Sequence, residues 1–433
     1  MASELLQFYA NQDDLAGNTS FWANAAVSRH VRKIHSGLPA LIVDVLSDIT
    51  AGDLLLIKFE DKQDQKVWER IESQNAFLQL LKNAVRKALY MGDGAFKISF
   101  DPALSLYPII EFFAADRVNF EYNRGKIENI VFLQKIERDI KGKQLHFNLE
   151  EVYSQNGINY RFFDDKGQRK EDAIVEGLKN ITHNMGINMA VPLIFDENPR
   201  HYGRGKSIFD GKLSLFDALD EAMSTWVDAL RDSRVQKYVP VGLIPRNPRT
   251  GELLRQNAFD SRFIQTEMDL SEGADNSVKI IQPDINTEAL HKSSLCFMEM
   301  ALQGIIAPAT LGIDLKRRDN ATAQREKEKA TLYTRAKLIG SLRSQVGQLC
   351  RAAVMSCNYY YGNSRAASAC SVEFGEYASP SFDSQIAAIG SGVKQGIISI
   401  ENAVEQLYGT SWSSNSKEEE VKRLKEQLYG KRI

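Results

Sequence analysis

The stretch that decides the fold, Leu215–Pro240, reads LFDALDEAMSTWVDALRDSRVQKYVP. At about 100° per residue, its apolar side chains share one arc of a helix and its carboxylates share the opposite side. The apolar set is Phe216, Leu219, Met223, Trp226, Val227 and Leu230, and the acidic set is Asp217, Glu221, Asp228 and Asp232. The spacing predicts a helix over residues 212–237, ended by Pro240, with one packed face and one acidic face.

The acidic face has two interpretations. It is an ordinary solvated helix surface, or it lines a conduit for a polyanion. Like charges at three- and four-residue spacing repel by a few tenths of a kcal/mol per pair, so the column is mildly unfavourable without a role. A conduit wall would supply that role, because carboxylates deny phosphate groups a binding site.

Hydrophobic periodicity on both sides of this stretch predicts an α+β protein that is mainly helical. Helices are expected at 38–49, 68–90, 287–306, 321–360, 381–396, 400–408 and 417–428. Strands are expected at 95–100, 109–113, 118–122, 130–135 and 371–377, with a sheet-rich region from 150 through 163 to about 195 and short strands over 239–285. Asn123-Arg124-Gly125 is a hairpin-type turn, and Asn286 is expected to cap the helix after it. The buried stripe of the long helix 321–360 is expected to run from Leu332 through Ala336 and Leu342 to Cys357.

Length and composition exclude several classes of protein. The 433 residues predict two to four folding units, and 43% hydrophobic with 25% charged residues indicates a globular chain. Lys and Arg number 54 against 56 Asp and Glu, so there is no global basic excess, and any contact with DNA must be local. No membrane span and no secretory signal are expected.

No catalytic or metal constellation is visible. The four cysteines form no Cys-x-x-Cys pair and have no His at ligand spacing, which favours a reducing compartment and predicts no metal site. Gly205-Lys206-Ser207 resembles the end of a phosphate-binding loop, but the required glycine five residues earlier is Arg200. The sequence therefore predicts no catalytic residues and no cofactor.

Three consecutive cations, Lys316, Arg317 and Arg318, precede the expected start of the long helix. The helix dipole is positive at that end, so each added cation costs roughly 0.3 to 1 kcal/mol at an exposed position. The cations indicate an anionic partner or, alternatively, a solvated loop that Asp314 and Asp319 partly neutralise.

Together, four strings resemble the portal proteins of long-tailed bacteriophages that infect Gram-positive bacteria. They are the stretch quoted first, the run Gly205–Phe209, YMGDGAFKISFD at 90–101, and GIIAPATLGIDLKRRDNATAQREKEKATLYTRAKLI at 304–339. The resemblance covers the chain from about Val31 onward. It implies the portal fold, assembled as a closed cyclic ring.

The resemblance also implies a domain order. The expected parts are a wing region at 1–205, stem helix 1 at 206–238, a clip at 239–285, stem helix 2 at 286–306, a tunnel loop at 307–320, a long wing helix and strand at 321–379, and a crown at 380–433. By the same resemblance, Lys316, Arg317 and Arg318 face DNA, and the four acidic residues of the first stem helix line the channel. Exposed turn residues of the clip, Arg246, Asn247, Arg249 and Thr250, are expected to contact the packaging partner.

The function that the resemblance implies is non-enzymatic. About twelve copies would form the ring at one capsid vertex through which double-stranded DNA is packaged and ejected, assembled in the host cytoplasm and kept in the virion. The implied partners are the terminase large subunit, a head-completion adaptor, and the major capsid and scaffolding proteins. Two alternatives stay open: a ring-forming NTP-dependent DNA motor, and a structural scaffold that never meets DNA.

Overall fold

The first helices form where apolar residues recur at helical spacing. The computed structural model describes residues 34–140, 143–164, 167–170, 180–244, 248–251, 263–267, 277–313, 321–363, 365–375, 382–408, 412 and 414–429. Helix α1 spans Leu38–Thr50, strand β1 spans Leu54–Phe59, helix α2 spans Lys62–Gln74 and helix α3 spans Phe77–Met91. The predicted helix at 38–49 is confirmed, whereas the single helix predicted at 68–90 is wrong.

Asn75 is the physical reason for the break between α2 and α3. Its side-chain amide donates to the carbonyl of Ile71 at 2.8 Å and to the carbonyl of Pro108 at 2.9 Å, and its Oδ1 accepts from the Ile110 backbone. Ala76 follows in the left-handed region at φ 44°. The side-chain amide of Asn75 thus ends α2 and links the break to the strand that contains Ile110. Hydrophobic periodicity alone does not reveal such a contact.

A β-rich region follows α3, as the sequence predicts. Its strands are β2, Asp93–Ser99; β3, Ile109–Ala114; β4, Val118–Asn123; β5, Lys126–Ile140; β6, Lys143–Ser154; β7, Gly157–Asp164; β8, Arg169–Lys170; β9, Ile181–Thr182; and β10, Ala190–Ile194. Antiparallel pairing gives a sheet in the order β10-β2-β3 and a second sheet in the order β4-β5-β6-β7-β8, with β9 paired to β7.

The predicted hairpin turn at Arg124-Gly125 is confirmed. Asn123 pairs with Lys126, and both turn residues have positive φ, 50° and 79°. Such a two-residue turn matches the twist of the flanking strands. The sheet-rich region predicted from residue 150 through 163 is confirmed: it holds the end of β6 and most of β7, and the chain turns between Ser154 and Gly157.

The helix predicted over residues 212–237 is shorter than expected. Helix α4 spans Leu213–Asp232, and residues Gln236–Pro240 form strand β11 instead of continuing the helix. β11 pairs in parallel with β12, Phe263–Thr266, and antiparallel with β13, Lys279–Ile281. The small sheet thus confirms the predicted insert of short strands but begins before residue 239, because cross-strand pairing outcompetes the helical pattern there.

Two further helices follow the small sheet. Helix α5 spans Thr287–Leu302 and begins where predicted, with the Asn286 side chain accepting from the Ala289 backbone at 3.0 Å. A 3-10 turn covers Pro308–Leu311, and helix α6 spans Ala321–Tyr360, as predicted. Strand β14, Cys370–Phe374, pairs antiparallel with β1.

The prediction of a buried stripe on α6 is correct for the second half of the helix and wrong for the first half. Leu342 and Cys357 are buried, but Ala336 is exposed. Thr331 and Arg335 are buried in that half instead. Arg335 donates to the Ile49 carbonyl at 2.6 Å and pairs with Asp53 at 2.8 Å, so polar anchors replace the apolar contacts that the pattern predicted.

The chain divides into two compact units, Met1–Phe374 and Gly375–Ile433. One continuous core in the first unit joins α1, α2, α3, the β10-β2-β3 sheet and α6, around Trp68, Phe96 and Leu342. The second unit contains α7, Phe382–Lys394; α8, Ile400–Tyr408; and α9, Ser414–Tyr429. Within it, Lys417 pairs with Glu405 at 2.9 Å, and the rings of Tyr408 and Trp412 stack at 4.0 Å. The three helices confirm the predicted ones.

Candidate functional site

Helices α4 and α5 pack together, and their apolar faces are only partly covered by the chain. Near the start of α4, Phe216 and Leu219 are buried, but toward its end Leu230 is 49% exposed. Trp226, expected in the core, is half-buried and makes an edge contact with His291 of α5, 5.9 Å between ring centres. The apolar arc of α4 is therefore packed at one end and open at the other.

Helix α5 exposes apolar side chains in its C-terminal half. Leu295 is 38% exposed and Met300 is 45% exposed, and Cys296 is also exposed. Of the residues in α5, only Ala301 and Leu302 are buried. Exposed apolar surface of this kind is typical of sites of protein association.

A second exposed apolar element lies in the small sheet. Three residues of this region, Val278, Ile280 and Ile281, are between 45% and 65% exposed. Strand β13 is an edge of the sheet, because it pairs with β11 alone in the described part of the chain. An apolar edge strand is a template for pairing with another chain.

The acidic face of α4 is present but does not form one uniform wall. Asp217, Glu221 and Asp228 are half-buried, and Asp232 is the last residue of the helix. Asp220, absent from the predicted set, is buried at 6% exposure. The Asp220 carboxylate therefore has a different role from those of Asp217, Glu221 and Asp228.

Asp220 and Ser224 hold the first described residues of the chain against α4. The Asp220 carboxylate contacts His35 Nδ1 at 3.0 Å and accepts from the Ser36 backbone at 2.9 Å. The Ser224 hydroxyl accepts from the Ile34 backbone at 2.9 Å. Segment 34–36 therefore lies along one ridge of the helix. Spacing could have marked Asp220 and Ser224 as neighbours, but their partners lie almost 190 residues away in sequence.

The glycine-rich segments at 92–94 and 203–207 meet at the base of α4. Arg204 forms a bidentate ion pair with Asp93, whose carboxylate is buried. The two backbones approach so closely that a Cβ on Gly205 would lie 2.2 Å from the carbonyl oxygen of Gly92. The junction explains why glycine occupies both positions.

The same junction uses the backbone donors that a phosphate loop would need. The Gly205 N–H donates to Asp93 Oδ2 at 2.7 Å, the Lys206 N–H to the Asp196 carbonyl and the Ile208 N–H to the Leu89 carbonyl. A phosphate-binding loop instead directs free backbone N–H groups at its ligand. Gly205-Lys206-Ser207 thus serves as a structural junction in this fold.

Two predicted contact regions lie wholly or partly outside the described residues. Lys316, Arg317 and Arg318 lie outside them, as do Arg246 and Asn247. Ala307, which precedes the three cations in sequence, is held against α6, because its N–H donates to Thr331 Oγ1 at 2.8 Å. Arg249 and Thr250 lie in an exposed turn.

A groove of about 1020 Å³ lies in the β-rich region and includes none of the predicted site residues. Its lining mixes the apolar side chains of Phe113, Leu133 and Phe163 with charges of both signs, including Glu150 and Lys135. No group of three metal-ligating side chains occurs among the residues that the structure describes. Nor, within those residues, is any helix long and apolar enough for a bilayer.

Burial affects the pKa of one histidine in the β-rich region, His183. His183 is 4% exposed, and neither ring nitrogen has a hydrogen-bond partner within the described residues. Burial lowers the pKa of His183, because the charged imidazolium would lose its hydration there.

Comparison with known proteins identifies the class of protein. The model of the family described as "Phage portal protein, SPP1 Gp6-like" matches residues 3–294, about two thirds of the chain. The chain belongs to this family, and its function is that of a phage portal protein. Proteins of this family are structural.

The solved structures to which the chain is similar include chains of gene transfer agent particles. One chain of "Virion of native gene transfer agent (GTA) particle" is 14% identical, with a TM-score of 0.44 over 98% of this chain and 94% of that one. A chain of "Neck of native GTA particle computed with C12 symmetry" is 13% identical, with a TM-score of 0.43 over 92% and 97%. No curated protein matches the chain.

Proposed function

We propose that about twelve copies of this chain form a closed ring at one vertex of a phage capsid, and that double-stranded DNA passes through the ring during packaging and ejection. The observation that carries the proposal is the exposed apolar surface of α5, around Leu295 and Met300. A ring of identical copies covers such a surface with the neighbouring subunit, whereas a monomer leaves it in water.

The parts of the chain take the positions of a portal subunit in this proposal. Residues 1–205 form the wing, 206–238 and 286–306 the two stem helices, 239–285 the clip, 307–320 the tunnel loop, 321–379 the long wing helix and strand, and 380–433 the crown. The packing of α4 on α5 supports the paired stem helices, and the three-stranded sheet between them supports the clip.

The proposed channel combines repulsion with local attraction. The carboxylates Asp217, Glu221, Asp228 and Asp232 of α4 line the wall and leave phosphate groups without a binding site. Lys316, Arg317 and Arg318 form a basic collar, repeated by the ring. Each phosphate contact is weakened by salt, which permits the DNA to move.

The proposed partners follow from the position at the vertex. The terminase large subunit docks on the clip turn around Arg249 and Thr250, together with Arg246 and Asn247, and hydrolyses ATP there while the portal itself does not. A head-completion adaptor replaces it after packaging, and capsid and scaffolding proteins contact the wing and crown. Assembly takes place in the cytoplasm of a Gram-positive host.

Electron microscopy of the purified chain tests the ring. We expect closed rings with a central hole of at least about 20 Å, the width of duplex DNA. Stable monomers at all concentrations would contradict the proposal. ATP turnover that is abolished by Lys206→Ala would instead indicate a nucleotide-driven motor.

A further inference from the structure

Two of the four cysteines lie on elements that pack against each other. Cys350 belongs to α6 and is fully buried, whereas Cys370 is the first residue of β14 and is partly exposed. Helix α6 and strand β14 are in contact within the first unit. One thiol is therefore held in the core, and the other lies at its margin.

The close approach at Gly347 shows which faces of α6 and β14 meet. A Cβ on Gly347 would lie 3.8 Å from Cγ2 of Val372 and 3.9 Å from the carbonyl oxygen of Cys370, so the Val372 side chain faces α6. Residues two positions apart share a face of a strand, so the Cys370 side chain is directed to the helix as well. Residues three positions apart are neighbours on a helix, which places Cys350 beside Gly347 on the face that β14 covers.

The two thiols form a hydrogen bond with each other, as this packing implies. Burial raises the pKa of Cys350, so this residue remains a thiol and a donor. The hydrogen bond from Cys350, together with the charge of Arg351, lowers the pKa of Cys370. Cys370 is therefore the member of the pair that forms the thiolate, which is the reactive state of cysteine.

The other two cysteines are placed differently. Cys296 is exposed on α5. Cys357 lies on α6 about 10 Å along the helix axis from Cys350. Burial raises the pKa of Cys357 to about 11, so it stays a thiol at neutral pH. Only Cys350 and Cys370 combine a direct contact with one thiol that solvent can reach.

We propose that Cys350 and Cys370 are a reversible disulfide site, reduced while the chain is in a reducing compartment and closed by hydrogen peroxide when the chain meets oxidising surroundings. The disulfide fastens β14 to α6. Neighbouring side chains of matching geometry are the requirement for such a bond.

The oxidation takes two steps. The Cys370 thiolate attacks one oxygen of the peroxide, the O–O bond breaks, hydroxide leaves and a sulfenic acid forms on Cys370. The Cys350 sulfur then attacks the Cys370 sulfur, so that the S–S bond forms and the hydroxyl group leaves as water with the Cys350 proton. In total the two thiols lose two electrons and two protons, and the peroxide becomes two molecules of water.

The disulfide closes a loop that already contacts the start of α2. Within this loop, Arg365 pairs with Asp61 at 3.0 Å and with Asp64 at 3.1 Å, and the Ser368 N–H donates to Asp64 at 2.8 Å. A cross-link that closes a loop stabilises the fold by restricting the unfolded chain. The bond therefore strengthens the connection of α2, β14 and α6.

The timing of the bond rests on the proposed function. If the chain assembles in the cytoplasm and leaves it in a virion, the bond closes after release from the host. The chemistry itself does not depend on a ring. Its test is therefore made on the purified chain, and its failure leaves the portal function untouched.

Peptide mapping after peroxide treatment detects the bond. Each of the four cysteines lies in a different tryptic peptide, with Cys350 in 344–351 and Cys370 in 366–394. The folded chain is treated with hydrogen peroxide, its remaining thiols are blocked with N-ethylmaleimide, and the peptides are analysed by mass spectrometry. We expect these two peptides to be joined, and to be separated again by dithiothreitol.

Three variants and the melting midpoint complete the test. Cys296→Ser is the matched control and should leave the cross-link in place, whereas Cys370→Ser should abolish it. Cys350→Ala should leave Cys370 as a sulfenic acid that dimedone traps. The oxidised wild-type chain should melt about 5 °C or more above the reduced chain, a difference that Cys370→Ser removes.

Two results would overturn the proposal. The first is oxidation that stops at Cys370 in the folded wild-type chain, with Cys350 still able to react with N-ethylmaleimide after unfolding. The second is a cross-link of Cys370 that forms only when the chain is unfolded in guanidinium, because the folded packing then has no part in it.

Discussion

The guanidinium of Arg204 donates to both carboxylate oxygens of Asp93, from Nε to Oδ2 at 2.9 Å and from Nη2 to Oδ1 at 2.8 Å. The same guanidinium also donates to the carbonyls of Ala115 and Val118, so it joins three residues near the base of α4. Asp93 is 1% exposed, and its negative charge is tolerated there because Arg204 and the Gly205 N–H compensate it.

Removing Arg204 should therefore destabilise the first unit. Arg204→Ala leaves the Asp93 charge buried without its partner, which costs about 3 kcal/mol for a pair of this kind. Arg204→Lys should recover only part of the loss, because a single ammonium cannot form the bidentate contact. Thermal unfolding followed by circular dichroism measures both. Arg117→Ala, a mostly exposed arginine nearby, is the control and should change little.

Gly205→Ala should disrupt the same junction by steric conflict. The added Cβ would lie 2.2 Å from the Gly92 carbonyl oxygen, so the two backbones must separate. Gly340→Ala on α6 is the matched control, because its Cβ meets no atom within 4 Å. That control should gain roughly 0.5 to 1 kcal/mol from helix propensity. A Gly205→Ala protein that melts with wild-type midpoint would show that the contact is unimportant.

Charging the apolar face of α5 should prevent assembly without unfolding the chain. Met300→Lys places a cation on a surface that the ring is proposed to cover, whereas the monomer keeps that position in water. We expect loss of rings by size-exclusion chromatography with light scattering, and an unchanged circular dichroism spectrum. Ala289→Lys, at an exposed position near the start of α5, should still form rings.

Reversing Lys316, Arg317 and Arg318 to Glu should impair DNA packaging or retention while rings remain intact. The physical reason is the loss of phosphate attraction at the proposed collar. Packaged genome length in assembled particles is the measurement. Lys422→Glu on α9 controls for a general effect of charge. Normal genome length in the triple variant would rule out the collar.

The β-rich region should lose stability in mild acid through His183. Its folded pKa is below its unfolded value, so the unfolded state binds the proton more readily. Stability is therefore unaffected above about pH 7 and falls as pH drops below about 6.5, by at most ~1.4 kcal/mol per pH unit. His183→Gln should flatten this dependence. Melting midpoints between pH 5 and 8 test it, and parallel curves for the two proteins would contradict it.

Local patterns in the sequence predicted much of the fold. The hairpin at Arg124-Gly125, the Asn286 cap and both ends of the long helix follow from rules that act over a few residues. The break at Asn75 and the polar stripe at Arg335 could not be found in this way, because their partners lie on elements distant in sequence. The helical pattern also predicted the wrong conformation at Gln236–Pro240, where pairing with strands β12 and β13 makes the chain a strand.

The candidate site, too, was predictable from sequence only where local spacing determines it. Helical spacing identified Asp217, Glu221 and Asp228 as one face, and the structure places them on α4 as half-buried carboxylates. Spacing could not separate Asp220 from them, because only its contact with His35 and Ser36 distinguishes it. The roles of the acidic face, the basic loop and the clip turn stay predictions.

The pairing of β1 with β14 has a consequence for synthesis of the chain. Ile57 lies opposite Val372, so the two strands are separated by more than 300 residues of nascent polypeptide. At about 5 to 20 residues per second, a ribosome needs roughly 15 to 60 s to deliver the second strand after the first. Helices α4 and α5 are synthesised within that interval, before strand β14 can complete the first unit. Chaperones therefore have this time in which to shield the exposed apolar side chains of the two helices.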